Sequence, residues 1–159
     1  MTKNMYEQLA DALDRLPNGF SRTSSNIEIL ILKKIFSPEE ASLASQLSGD
    51  MEAIDVIAER VGLSVKETRK ELMKMAKRGL VWFDKKAKKP RFRLAPFIVG
   101  IYEAQLESMD HELAHLVEKY MLDEGGAKGI MQPQPALHRV VPTQGTVKSE
   151  WILPYEDIR

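Results

Sequence analysis

The chain has no cysteine among its 159 residues. Disulfides, thiolate metal sites and a cysteine nucleophile are thereby excluded within it. It also lacks any apolar run near the ~20 residues that a membrane-spanning helix needs. Its first residues, MTKNMYE, lack the apolar centre of a secretory signal. These two absences make the cytoplasm the default location and give no reason to expect a membrane partner. There is no glycine-rich phosphate loop, no Ser/His/Asp arrangement and no carboxylate pair beside an obvious cleft, so the common routes to phosphoryl and acyl transfer have no candidate residues. Aromatic residues are sparse at 7%, yet the 43% hydrophobic fraction is that of an ordinary folded protein.

Net charge is absent only in the sum, with 23 basic and 23 acidic residues. From residue 66 to residue 93 the basic residues are Lys66, Arg69, Lys70, Lys74, Lys77, Arg78, Lys85, Lys86, Lys88, Lys89, Arg91 and Arg93, and the acidic ones are Glu67, Glu71 and Asp84. Twelve against three gives this segment +9 and leaves the remainder −9. Cations gathered on one face are the electrostatic footprint of a phosphate-backbone binder.

Apolar spacing predicts a helix over residues 5–16, stopped by Pro17-Asn18-Gly19, then a polar loop to residue 26. Residues 27–36 read as a short, buried helix. Ser37-Pro38-Glu39-Glu40 is a capping box opening a helix to about residue 47. A helix over residues 51–61, the turn Val61-Gly62-Leu63-Ser64 with Leu63 plugging the core, and a second capping box (Ser64 with Glu67) opening a helix over 65–78 make a helix-turn-helix. The inner face of that second helix reads as Val65, Thr68, Leu72, Met75 and Ala76. Residues 80–84 and 91–94 are β-like and flank a lysine-rich hairpin tip. The order is that of a winged helix-turn-helix.

Pro96 opens a predicted long helix to about residue 123, ended by glycines at 125, 126 and 129. Tyr102, Leu106, Met109, Leu113, Leu116 and Tyr120 recur at spacings of four and three, a heptad-like seam suited to the same chain or to a second copy. The outer face of this helix is acidic. Residues 132–135 read as a linker, and extended pieces are expected over 137–143 and 150–155.

Three constellations bear on function. The second helix of the helix-turn-helix exposes Lys66, Arg69, Lys70 and Lys77, and Lys85, Lys86, Lys88, Lys89, Arg91 and Arg93 follow in the wing. These ten are the candidate nucleic-acid contacts. Few Asn, Gln or Ser residues share that face, which favours gripping backbone over reading bases. A protein-docking surface for an acidic partner would use the same residues. The second constellation, His111-Glu112-Leu113-Ala114-His115, matches the zinc-peptidase pattern. No third ligand stands out, since His138 lies past the linker, and both imidazoles fall opposite the apolar seam. His111 and His115 are thus a weak metal candidate, with zinc hydrolysis the third reading after the two binding readings. The seam is the third, with a homodimer as its sharper reading.

Four stretches carry a family likeness: MYEQLADALDRLP (residues 5–17), LKKIFSPEEA (32–41), PRFRLAPFIVGIYE (90–103) and ILPYEDIR (152–159). Together they resemble the N-terminal region of a family of ferredoxin-type 4Fe-4S proteins of anaerobic bacteria and archaea. The resemblance implies a winged-helix part placed before a cysteine-rich cluster domain, acting as a regulatory or partner-docking module beside redox chemistry. It implies 4Fe-4S clusters only for such a downstream domain. With no cysteine here, no ligand residue carries over and no cofactor is expected in this chain. The sequence ends about where that domain would begin, as an excised region or a shortened relative would.

The expected fold is therefore mainly α with a small β wing. Residues 1–26 form an N-terminal helix and loop, 27–95 the winged helix-turn-helix, 96–124 a long amphipathic helix on it or on a second copy, and 125–159 a linker and extended tail. The expected function is non-enzymatic binding of duplex DNA.

Overall fold

Side-chain chemistry sets three helix starts. The computed structural model describes residues 4–84, 87 and 89–131. In it Asn4, Ser37 and Ser64 each accept an amide at the head of a helix, while Glu7, Glu40 and Glu67 bond back to the capping residue's own N–H. These reciprocal pairs open α1 (Met5–Asp14), α3 (Pro38–Ala44) and α5 (Val65–Lys77). Between them, α2 (Ile27–Ile35) starts from Asn26, which holds a left-handed backbone without a side-chain cap. Burial stabilises this helix instead: Ile27, Ile29, Ile31, Leu32 and Ile35 all lie in the core, as its apolar run predicts. Its acidic residue, Glu28, is fully buried too. Arg22 Nε lies 3.0 Å from Glu28 Oε1, and Thr23 Oγ1 donates to Oε2 at 2.5 Å.

Residues 51–61 are not one helix. Glu52–Ala53 is a short strand, β1, and α4 begins only after it (Ile54–Val61). β1 pairs antiparallel with β3 (Arg91–Leu94), placing Glu52 opposite Phe92 and Ala53 opposite Arg91. On its other side β3 pairs with β2 (Val81–Asp84), so the sheet order is β1-β3-β2. Without β1, one edge of β3 would leave its backbone groups unpaired. A strand of two residues has no periodicity of its own, which is why the sequence reads straight through it as helix.

The turn between α4 and α5 relies on Gly62, whose left-handed φ of 70° lets the Leu63 amide reach the Ala58 carbonyl at 3.1 Å. Leu63 does not plug the core, and Val65 does not face it; each is 47% exposed. The seam between the two helices is filled by Ile57, Ala58, Thr68 and Leu72, and the first turn of α5 projects beyond it. α4, the turn, α5, β2 and β3 follow in that order, with β1 as the third strand. The architecture is mainly helical with a small β wing, a winged helix-turn-helix.

The segment after the wing departs most from expectation. It is not one long helix. Phe97–Ile101 forms a wide turn whose backbone leaves helical angles at Ile98, Val99 and Gly100. A single turn of helix follows, α6 (Tyr102–Gln105), and then a break before α7 (His111–Leu122). Asp110 makes that break a new start, its carboxylate accepting from the Leu113 amide at 2.7 Å. Gln105 anchors α6 by donating to the Arg78 carbonyl at 3.0 Å, at the end of α5. The approach there is close enough that a β-carbon on Gly79 would sit 2.2 Å from that of Ala104. The apolar spacing is real, but it belongs to two short helices docked on different partners. Leu113 and Tyr120 are buried within their own chain, together with Val117, whereas Leu106 is 55% exposed. The glycines at 125 and 126 do not simply end the helical region, because α8 (Gly126–Met131) begins among them.

One continuous apolar core runs from Tyr6 of α1 to Tyr120 of α7. An aromatic cluster seals its post-wing end, with Phe20 4.5 Å from Phe97 and 5.3 Å from Tyr120 between ring centres. Among the described residues no helix is long and apolar enough to cross a membrane. The hairpin-tip residues Lys85, Lys86 and Lys88, and the linker and extended pieces expected from residue 132 onward, lie outside the described residues.

Candidate nucleic-acid interface

The surface of α5 follows from its buried face. Thr68, Leu72 and Met75 point into the core, and the Thr68 hydroxyl donates to the Ser64 carbonyl at 3.0 Å. Helical geometry then directs Lys66, Arg69, Lys70 and Lys77 outward, and all four are exposed. From Lys66 to Lys77 the row runs about 17 Å along the helix axis. Arg69 and Met73 also line a small groove between α5 and the wing, bounded by Phe83, Asp84, Ala87 and Pro90, with a volume of about 220 Å³.

Pairing divides the cations into two groups. Lys74 is held by Glu71 of its own helix at 2.9 Å. Arg78 donates to Glu40 of α3 at 2.6 Å and to the Ile35 carbonyl at 2.5 Å. Arg60 is bonded to Glu52 and donates to the Gln46 carbonyl at 2.6 Å. Lys89 of the wing reaches Asp55 of α4 at 2.7 Å. That hydrogen bond holds the Asp55 carboxyl below its ordinary range and raises the Lys89 ammonium. Among the described residues, no ion pair engages Lys66, Arg69, Lys70, Lys77 or Arg91. The acidic residues of α5 make their hydrogen bonds to other groups, although the Glu67 carboxylate also feels the Lys70 charge. Glu67 is turned back onto Ser64, whose hydroxyl holds the carboxyl below its usual range, and Glu71 holds Lys74.

The sheet puts the two arginines of the wing, Arg91 and Arg93, on one face. Alternation along β2 and β3 gives one face to Val81, Phe83, Phe92 and Leu94 and the other to Trp82, Asp84, Arg91 and Arg93. Trp82 and Arg93 are register partners, and the Arg93 guanidinium lies over the indole at 4.4 Å. Arg93 therefore turns into a cavity behind the sheet, away from the groove that Arg69 lines. Sequence reasoning missed that cavity. The alternation in VWFD and RFRL could have placed Trp82 with Arg93, but nothing local signals that the end of α1 and residues 45–50 come to meet them.

His111, Glu112 and His115 all lie exposed on the first turns of α7. Glu112 is engaged by Lys34 of α2, and His115 Nδ1 lies 3.8 Å from Glu118. Among the described residues no three His, Asp or Glu side chains converge to hold a metal ion. Asp110, the cap of α7, also lies 3.8 Å from Lys34, so the head of this helix is tied to α2. Comparison of the chain with protein-family models, with curated proteins and with solved structures found no match.

Proposed function

We propose that the chain is a non-enzymatic winged-helix module that grips the phosphate backbone of duplex DNA. One observation carries this reading: among the described residues the exposed face of α5 keeps Lys66, Arg69, Lys70 and Lys77 without ion pairs, while Lys74 and Arg78 beside them are matched to Glu71 and Glu40. An unmatched row of charge on a helix that presents its length to solvent suits the major groove and its bordering phosphates. Lys89 can exchange its exposed Asp55 partner for phosphate at little cost, because solvent-exposed ion pairs are weak. The absence of Asn and Gln on this face favours broad affinity over sequence choice.

The test is an anisotropy titration with a mixed-sequence duplex at low salt. Arg69→Glu and Lys70→Glu should each weaken binding by about tenfold. Lys74→Glu, at a position already paired, should change it far less. Equal losses at all three positions would mean that net charge alone is being sensed. The resemblance to ferredoxin-type proteins raises a second use for the same face, docking an acidic redox partner. Failure to bind any duplex, with the protein folded, would favour that use.

A further inference from the structure

Behind the wing, on the side away from α5, lies a cavity of about 940 Å³. Its walls are the end of α1, residues 45–50 after α3, the outer face of β2 and β3, and the turn at residues 96–99. The volume is that of a small-molecule site, and the lining is mixed, with apolar side chains from Leu16, Trp82, Pro96 and Val99 among polar ones such as Arg15, Asn18, Gln46 and Asp50.

The polar groups are out of balance. Arg93 is half-buried, and its guanidinium is held flat on Trp82. Among the described residues its one hydrogen bond is a long one, 3.4 Å from Nη1 to the Gly49 carbonyl. Nε is screened from solvent and has no partner. No carboxylate pairs with it among the described residues. The contrast with Arg60 in the same cavity is direct, since Arg60 is satisfied by Glu52 and the Gln46 carbonyl. A guanidinium withdrawn from water with unused donors is costly until an anion engages it. Arg15 is a third cation of the lining, whose single carboxylate is Asp50.

We propose that this cavity binds a small organic anion, its carboxylate or phosphate on Arg93 and its apolar body against Leu16, Trp82 and Val99. A guanidinium braced by an aromatic ring presents a fixed fork, which suits either head group. The proposal does not depend on DNA binding.

The test uses the intrinsic fluorescence of Trp82, with the chain's other tryptophan removed by Trp151→Phe. Phenylacetate, phenyl phosphate, neutral phenylacetamide and inorganic phosphate are titrated in turn. Saturable quenching by at least one aryl anion is expected, and the better of the two identifies the head group. The amide and inorganic phosphate should each bind about tenfold more weakly or worse, since one lacks the charge and the other the apolar body. Arg93→Gln should abolish the preference for acid over amide, with circular dichroism reporting that the fold is kept. Asp50→Asn, at an exposed position, should tighten anion binding, which gives a second readout if Arg93→Gln does not fold. Absence of quenching by both aryl anions, equal binding of acid and amide, or no effect of Asp50→Asn would overturn the proposal.

Discussion

α5 and α7 are close to the same length, 13 and 12 residues, and each buries three side chains. Each opens from a side-chain cap, Ser64 in one and Asp110 in the other. Their exposed charges are put to opposite uses. Asp110 and Glu112 at the head of α7 both reach Lys34 on α2, so the acidic helix is tied to the core it lies on. Lys66, Arg69, Lys70 and Lys77 on α5 have no such attachment among the described residues. One amphipathic helix is an anchor and the other a presenting surface. Composition does not separate the two roles; the location of the counter-charges does.

The harshest way to break the comparison is to put a charge where α7 anchors. Leu113→Glu forces a carboxylate into the α2–α7 contact and should cost about 3 kcal/mol or more. Thermal denaturation should show a large fall in Tm. Tm unchanged at high and low concentration would mean that α7 does not dock where Leu113 is buried. On α5 the pattern should invert. The Arg69→Glu and Lys70→Glu pair should leave stability within about 0.5 kcal/mol of wild type, the usual range for surface sites, while DNA affinity collapses. Loss of both together would merge the two roles.

A smaller effect distinguishes paired cations from free ones. Arg78→Ala removes bonds to Glu40 and to the Ile35 carbonyl and should cost about 1 kcal/mol in chemical denaturation. It should barely alter DNA binding. Lys77→Ala, one residue earlier, should do the reverse.

The finest test is alkaline. Burial holds the Tyr120 phenol well above its ordinary value of 10.0, and its hydroxyl donates to the Ser21 carbonyl at 3.2 Å. A raised folded pKa means that the folded state keeps a proton which the unfolded chain loses. The contribution is complete below about pH 10 and declines above it, because ionisation then favours the unfolded chain. Tyr120→Phe should therefore flatten part of the stability loss above pH 10. Denaturation curves at pH 8 and pH 11 for both proteins measure it, and parallel curves would sink the assignment.

What the sequence could reveal was local. Ser37 with Glu40 and Ser64 with Glu67 are short-range chemistry, legible because cap and partner are three residues apart. The buried α2 was legible because almost no polar residue interrupts it. β1 was not, since its two residues become a strand only once β3 lies beside them. The helix break at residues 106–110 was hidden by an apolar spacing that continues across it. Asp110 was a capping signal in plain sight, and the heptad reading overrode it. In the candidate site, α5 was readable from helical geometry alone. The cavity at Arg93 was not, because the end of α1 and residues 45–50 reach it from far along the chain.

The central claim is that unpaired cations on α5 hold DNA phosphates, and its most direct measurement is the salt dependence of duplex binding. Four phosphate contacts, from Lys66, Arg69, Lys70 and Lys77, predict a slope of log K against log salt of about −3.6. Lys70→Ala should reduce its magnitude by about one. A slope near zero, or no binding to any duplex at about 50 mM salt with the protein folded, would contradict it.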